Sequence, residues 1–381
     1  NQAVLGPEDL LEFFADDPAV RAIGLHLEGL QNIPKFEKAA TKALTNGKPV
    51  VVLKTGSSAI GSNLTVSHTG SLSGSAELYE ALFQRVGIIS VTNPSQLLET
   101  LKFLCVVGAP QGKQVVGFTC SGGGATMLAD HAEKIDLIFP EFKTTQETEL
   151  SALLPDIATV SNPLDYTTPI WGQEEMTYPV FAKAISAIEA DTAVLVQDYP
   201  AAEIDSSKVY YRNDAMAFAR ASKEQGLPAI ICATLPENMD LETRHLLIEK
   251  GVAPMQGIHE ALNAIRDSAD WNQARSRILS EKPEYLLPSY PSSEQKVMSE
   301  SDSKRWLKNN NFNVPNGKTV SPHKLGEAAS EVGYPVALKM ISPRLLHKTE
   351  AGAVVLDIKD EEELKLAVEK MRIDVTAYDA D

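Results

Sequence analysis

His68 lies in Ser67-His68-Thr69-Gly70-Ser71-Leu72-Ser73-Gly74-Ser75, a run of small residues that leads into an expected helix. Gly, Ser and Thr leave little bulk around an imidazole, and backbone N–H groups near a helix start can face an anion beside the ring. This setting suits a histidine that carries a phosphoryl group, because neutral imidazole is nucleophilic near pH 7 and phosphoimidazole is a labile donor. A capping or surface histidine in a turn would have the same local sequence. Gly122-Gly123-Gly124 follow an apolar run and precede a helical pattern. That is the layout of an anion-binding helix start and equally of a tight strand-to-helix turn; it is neither a Walker loop nor a dinucleotide fingerprint. Lys339 stands in the apolar run Pro335–Met340, either as a point charge for nucleotide phosphates or as a surface lysine at a strand end. His347-Lys348, with Gly352 nearby, is a second possible phosphoryl acceptor or an ordinary surface pair. Glu28 follows an apolar run, where open α/β sheets place their ligands. It is a solvated loop acid, or it accepts an imidazole N–H and leaves the other ring nitrogen free to attack phosphorus. Cys120, beside the glycines, reads as a small buried residue, since no histidine can be assigned to it as a base.

The elements that must position these residues alternate. Ala22–Leu27, Pro49–Lys54 and Ile88–Val91 read as strands. Helical segments run from Gly6-Pro7, over Phe36–Leu44 to a stop at Asn46-Gly47, over Glu77–Val86 and over Pro94–Val107. This alternation predicts a parallel sheet covered by helices. A second unit begins near Gln114, with strands at Val115–Thr119, Thr192–Gln197 and Pro228–Ala233, a turn over Cys120–Gly124 and a helix over Ala125–Lys134; it ends near Trp271. The polar stretch with Pro283, Pro288 and Pro291 reads as a linker. A third unit starts near Ser299, with helices over Ser301–Asn309 and Glu361–Met371 and strands over Pro335–Met340 and Val354–Ile358.

Composition narrows the function classes. A chain of 381 residues suggests two or three domains, and its net charge of −16 argues against nonspecific nucleic-acid binding. No apolar run approaches the roughly 18 residues of a membrane span. Cys105, Cys120 and Cys232 are spaced as neither a zinc site nor a disulfide framework, so a cytoplasmic location is the default.

Taken in order, these pieces resemble the NDP-forming acyl-CoA synthetases, which include the ADP-forming acetyl-CoA synthetases and are related to succinyl-CoA synthetase. The resemblance covers nearly all of the chain. It rests on Leu27-Glu28-Gly29, Lys54 with Gly56, Ser67-His68-Thr69-Gly70 with Gly74-Ser75, Gly122-Gly123-Gly124 with Asp130, and Ser161-Asn162-Pro163-Leu164-Asp165. It continues in Gly333-Tyr334-Pro335 through Lys339, Ser342-Pro343, and Leu346-His347-Lys348 before Gly352. Thr349-Glu350-Ala351 stands where the family commonly has Ser-Asp-Val.

The resemblance implies an α/β fold: two flavodoxin-like parallel-sheet domains (1–112, N-terminally incomplete, and 113–280), a linker (281–297) and the N-terminal part of an ATP-grasp domain (298–381). It implies that His68 is the phosphorylated histidine, steadied by Glu28. His347 would be a second histidine that relays phosphate from nucleotide to His68. Lys339 would hold the nucleotide phosphates, and Ser67, Thr69, Gly70, Gly122, Gly123, Gly124 and Asn162 would surround the substrate or phosphate. ATP, Mg²⁺ and coenzyme A would be required, with the family's Mg²⁺ carboxylates and CoA-binding domain outside this chain, so a fragment of a longer polypeptide is expected. The partners would be a small carboxylate and CoA, with no nucleic acid or membrane, and a homodimer is the expected assembly. The reaction implied is acyl-CoA formation from a carboxylate, CoA and ATP through phosphohistidine and acyl phosphate. Two alternatives stand beside it: a ligase/lyase acting on dimethylsulfoniopropionate, for whose sulfonium Trp171, Tyr178, Tyr199, Tyr210 and Tyr211 would supply aromatic faces, and a non-catalytic ligand-sensing module of a protein acetyltransferase.

Overall fold

The computed structural model describes residues 5–56, 58, 76–200, 206–285, 298–342, 348–349 and 351–378. They fall into two compact units, Asn1–Ser289 and Tyr290–Asp381.

In the first unit, α1 (Pro7–Asp16), β1 (Ile23–Leu27), α2 (Ile33–Thr45), β2 (Val50–Lys54), α3 (Ala76–Val86), β3 (Ile89–Val91) and α4 (Pro94–Val106) follow one another. The three strands form a parallel sheet in the order β1-β2-β3. β2 reads Val-Val-Val-Leu because, as the central strand, both of its faces are covered. Asn32 and Asn93 start α2 and α4 by accepting the N–H groups of Lys35 (3.0 Å) and Gln96 (2.8 Å).

A larger sheet follows. Its strands are β4 (Val115–Thr119), β5 (Leu164–Asp165), β6 (Thr192–Val196), β7 (Ala229–Ala233) and β8 (Ala253–Gln256). All neighbours are parallel, in the order β5-β4-β6-β7-β8. Counted from β4, this is the 2-1-3-4-5 winding of flavodoxin-like sheets, with its switch point between β4 and β6. The interleaved helices are α5 (Gly122–Lys134), α6 (Thr144–Ser151), α7 (Glu174–Ala187), α8 (Lys208–Glu224), α9 (Leu241–Glu249) and α10 (Ile258–Glu281). β8 carries Pro254, tolerated because this strand lies at the sheet's edge.

Two sequence expectations shift here. The turn expected over Cys120–Gly124 is shorter, because α5 already begins at Gly122. The α/β stretch expected to begin near Gln114 also extends past Trp271, since α10 runs on to Glu281. Its distal part is held by Ile278, buried in one core with Leu44, Val51 and Phe103, and by Arg275, which donates to the Leu44 carbonyl at 2.9 Å. That core also takes Val115, Val194 and Ile230, so the two sheets share it. The boundary expected at 112–113 therefore separates two sheets within one compact unit.

The second unit contains α11 (Glu300–Asn309), α12 (Leu325–Val332), β9 (Val336–Lys339), β10 (Val354–Ile358) and α13 (Glu361–Tyr378). β9 and β10 pair antiparallel. A small core of Ala329, Ile358, Leu364 and Ala367 joins the helices to the strands. α13 continues seven residues beyond the expected end at Met371.

Candidate active site

His68, Ser67, Thr69, Gly70 and His347 lie outside the described residues. The other candidates stand at three places, two of them at the C-terminal ends of parallel strands.

The first is the edge of the small sheet. Leu27 and Lys54 are register partners, which sets Glu28 beside the end of β2. Glu28 is exposed, consistent with an acid offered to a neighbour rather than held in the core. The Lys54 Nζ donates to the Thr55 carbonyl (2.5 Å) and lies 4.6 Å from the centroid of the Tyr79 ring. Burial lowers the Lys54 pKa, and the charge of Glu28 opposes that shift. The Tyr79 hydroxyl accepts the Leu30 N–H at 2.9 Å, fixing the loop that leaves β1. Thr55 returns its N–H to the Leu27 carbonyl (2.9 Å), and His26 Nε2 is 3.2 Å from its hydroxyl oxygen.

The second place is the switch point of the larger sheet. Ser121 caps α5, its Oγ accepting the Gly124 N–H at 3.1 Å. The exposed N–H groups of Gly122 and Gly123 have no hydrogen-bond partner among the described residues. Gly124 is a packing requirement, because a Cβ there would meet Thr119 Oγ1 at 2.4 Å. Asp165 reaches the same helix start, with Oδ2 3.7 Å from where a Gly122 Cβ would stand. Its Oδ1 accepts the N–H of Thr167, a residue held at φ +67°.

Asn162 was expected among the ligand-binding groups. In the structure its Oδ1 accepts the Gly117 N–H (2.9 Å), and its Nδ2 donates to the carbonyls of Val115 (2.9 Å) and Pro140 (3.0 Å). The amide thus staples β4 to two loops. Glu28 and the Gly122–Gly124 turn stand on different sheets, and no bond among the described residues joins them.

Behind the switch point lies a group that sequence reading did not single out. Asp214 of α8 is buried and accepts from Tyr166 Oη (2.9 Å), the Gly172 N–H (2.9 Å) and Thr177 Oγ1 (3.1 Å). Burial pushes its carboxyl up to about 6. At the end of β6, Asp198 accepts from the Thr234 N–H and from Asn238 Nδ2, both at 2.9 Å. Burial also pushes the Cys120 thiol up, which keeps it protonated at neutral pH and fits its reading as a packing residue. The aromatic residues here pack on one another. Trp171 stands edge-on to Tyr211 at 4.8 Å and tilted to Tyr210 at 5.4 Å, Tyr199 meets Tyr211 at 5.8 Å, and Tyr178 is covered by the Arg220 guanidinium at 4.0 Å.

The third place is the end of β9, where exposed Lys339 pairs with Glu300 Oε1 of α11 at 2.9 Å. Among the described residues no three His, Cys, Asp or Glu side chains gather as a metal site, and no helix is long and apolar enough to cross a membrane.

Wound parallel sheets with polar groups at their C-terminal edges define an α/β protein of the flavodoxin-like class, followed by a smaller α+β unit. Comparison with known proteins agrees. Residues 1–104 match the succinyl-CoA ligase like flavodoxin domain, and residues 289–381 match the ATP-grasp domain. Both domain matches support the NDP-forming acyl-CoA synthetase family that the ordered motifs resemble. It is 27% identical over 372 residues to acetate–CoA ligase [ADP-forming] I of Archaeoglobus fulgidus, covering 94% of this chain and 51% of that protein. It is 26% identical over 389 residues to a trans-feruloyl-CoA synthase of an unknown prokaryotic organism, covering 100% of this chain and 53% of that protein. In fold it is similar to the dinucleotide-forming acetyl-coenzyme A synthetase 1 of Ca. Korarchaeum cryptofilum, a structure in complex with phosphate and ADP. There the TM-score is 0.62 at 22% identity, over 74% of this chain and 59% of that one. The chain spans about half the length of the curated relatives it matches.

Proposed function

We propose that the protein is an acid–thiol ligase that makes acyl-CoA from a carboxylate, CoA and ATP, releasing ADP and phosphate. One observation carries this reading: a succinyl-CoA-ligase-like flavodoxin domain and an ATP-grasp domain lie in a single chain, each with a candidate phosphoryl acceptor, His68 in the first and His347 in the second. The relatives named for ADP-forming ligation of acetate and for feruloyl-CoA synthesis support it.

A carboxylate is a poor electrophile and must be activated before a thiol can displace oxygen from it. In this reading an imidazole nitrogen of His347 attacks the γ-phosphorus of ATP; the N–P bond forms as the bond to ADP breaks. The phosphoryl group then passes to His68. Glu28 accepts the N–H of the other ring nitrogen and steadies the charge that phosphorylation leaves on the ring. The substrate carboxylate attacks phosphorus, the N–P bond breaks, and acyl phosphate forms with neutral imidazole restored. CoA thiolate displaces phosphate and gives the thioester.

Lys339 is assigned to the nucleotide phosphates, exchanging its partner Glu300 for them. Ser67, Thr69, Gly70, Gly122, Gly123 and Gly124 are assigned to the phosphoryl and acyl groups, with open N–H groups at the start of α5 as donors. Asn162 acts at that edge through the backbone it holds. Mg²⁺ is assigned to carboxylates outside the described residues, where it would offset charge on the nucleotide phosphates. Residues 1–112 and 113–280 are taken as two ligase domains, 281–297 as a linker and 298–381 as part of the ATP-grasp domain, in a cytoplasmic homodimer.

The test is incubation of the intact protein with γ-labelled ATP, mapping of phosphohistidine, and a carboxylate panel with CoA read by mass spectrometry. Label on His68 and an acyl-CoA product are expected. A wild-type protein that takes no label and makes no thioester would remove the reading.

A further inference from the structure

The small sheet's edge holds a cation that the relay described above does not use. Lys54 is the last residue of the central strand, at the C-terminal side where parallel sheets place their ligands. Among the described residues, Thr55 and Tyr79 help to set its position. The Tyr79 ring lies under the ammonium at 4.6 Å, while the Tyr79 hydroxyl holds the β1 exit loop through the Leu30 N–H. The Thr55 carbonyl takes one of the three N–H donors, and Thr55 is itself tied back to Leu27. Glu28, the proposed partner of the phosphorylated imidazole, is close enough to act on Lys54 through charge.

A lysine in this setting differs from a surface lysine. Part of the water around its ammonium has been removed on folding, which is why its pKa is lowered. An arriving oxyanion therefore meets a cation whose desolvation cost is already partly carried by the fold, and whose direction is set in part by a ring and a carbonyl. A phosphoryl group bound beside Glu28 would bring negative charge against a carboxylate, and a cation within the same edge offsets that repulsion. Lysine suits the task as a compact point charge.

We propose that Lys54 is a phosphate-binding residue, whose ammonium at the edge of the small sheet receives the anionic phosphoryl group next to Glu28. This rests on the proposed function for the identity of the anion as a reaction component, but binding itself can be measured without turnover.

The probe is inorganic phosphate, titrated by calorimetry into the intact protein, with acetate as the comparison anion. Lys54→Met keeps the apolar stem on Tyr79 and drops the charge; Lys54→Arg keeps the charge. Phosphate affinity is expected to fall at least tenfold in Lys54→Met and to stay within threefold in Lys54→Arg. ADP affinity and melting temperature should be unchanged in both. Wild-type phosphate affinity in Lys54→Met would overturn the proposal. So would a parallel loss of phosphate affinity, ADP affinity and melting temperature, which would mark Lys54 as structural, or an affinity for acetate equal to that for phosphate. A protein that binds phosphate through Lys54 yet forms no acyl-CoA would uphold this assignment and sink the ligase reading instead.

Discussion

Tyr166 Oη donates to Asp214 Oδ2 at 2.9 Å in a place where both side chains are fully buried. The pair spans 48 residues of sequence and ties the loop after β5 to α8. Because Asp214 also holds Gly172 and Thr177, one carboxylate organises the backbone beside the switch point.

The pair predicts a pH signature. The folded carboxyl titrates at about 6, above its ordinary value of 3.8, so the native state binds the proton more tightly than the unfolded chain. Its contribution is complete below about pH 4 and is lost as pH rises through about 6, to a total of about 3 kcal/mol. In Asp214→Asn, Oδ1 can still accept from Gly172 and Thr177 while Nδ2 donates to Tyr166 Oη. The difference in unfolding free energy between wild type and Asp214→Asn, measured in urea from pH 4 to 8, should therefore shift in favour of the variant as pH rises. A difference that stays flat across this range would show that Asp214 does not titrate there.

The glycines of α5 should separate by position. Gly124→Ala puts a Cβ 2.4 Å from Thr119 Oγ1 and should cost about 1–3 kcal/mol by overpacking. In Gly123→Ala the nearest atom is 3.9 Å away, and stability should hold or rise slightly through helix propensity. Denaturant midpoints of the two variants decide this, and equal midpoints would contradict it.

Asn162 offers a contrast between staple and ligand. Asn162→Ala leaves one backbone N–H and two carbonyls without their partner, and should cost about 3 kcal/mol. If it serves the reaction only through that backbone, the folded variant below its melting temperature should keep its Michaelis constants within a few fold while its unfolding midpoint falls. A normal midpoint with a raised constant for the carboxylate would instead make Asn162 a direct ligand.

The relay predicts an order of labelling. With γ-labelled ATP, His68→Ala should retain label on His347, whereas His347→Ala should leave both positions unlabelled. Glu28→Gln should slow labelling of His68 by about 10²-fold or more without removing label from His347. Rapid-quench labelling with peptide mapping reads all three, and full labelling of His68 in His347→Ala would break the relay.

Much of the fold was legible in the chain because local rules agreed with the tertiary result. Val50–Leu53 and Val115–Thr119 are apolar on both faces, as central parallel strands must be, and Asn32, Asn93 and Ser121 start helices with side-chain oxygens. β5 and β8 escaped notice, being two and four residues long and, in β8, interrupted by Pro254. α10 passed its expected end because its last turns bury Ile278 in a core shared with the first sheet, and burial there depends on a distant neighbour.

The sequence by itself determined the alternating α/β pattern, the residue types at the strand ends, and the ordered set of motifs that carries the family resemblance. Only the tertiary structure decided what several residues touch. Nothing near Asn162 in sequence shows that its amide bonds backbone groups 45, 47 and 22 residues away. Asp214 looks like any acid on a helix until Tyr166, Gly172 and Thr177 close around it and water is removed. Lys54 is a partly desolvated cation with the Tyr79 ring, delivered by α3, 4.6 Å from its ammonium. In each case the property is a change in solvation or a long-range contact, and neither is contained in the residues nearby in sequence.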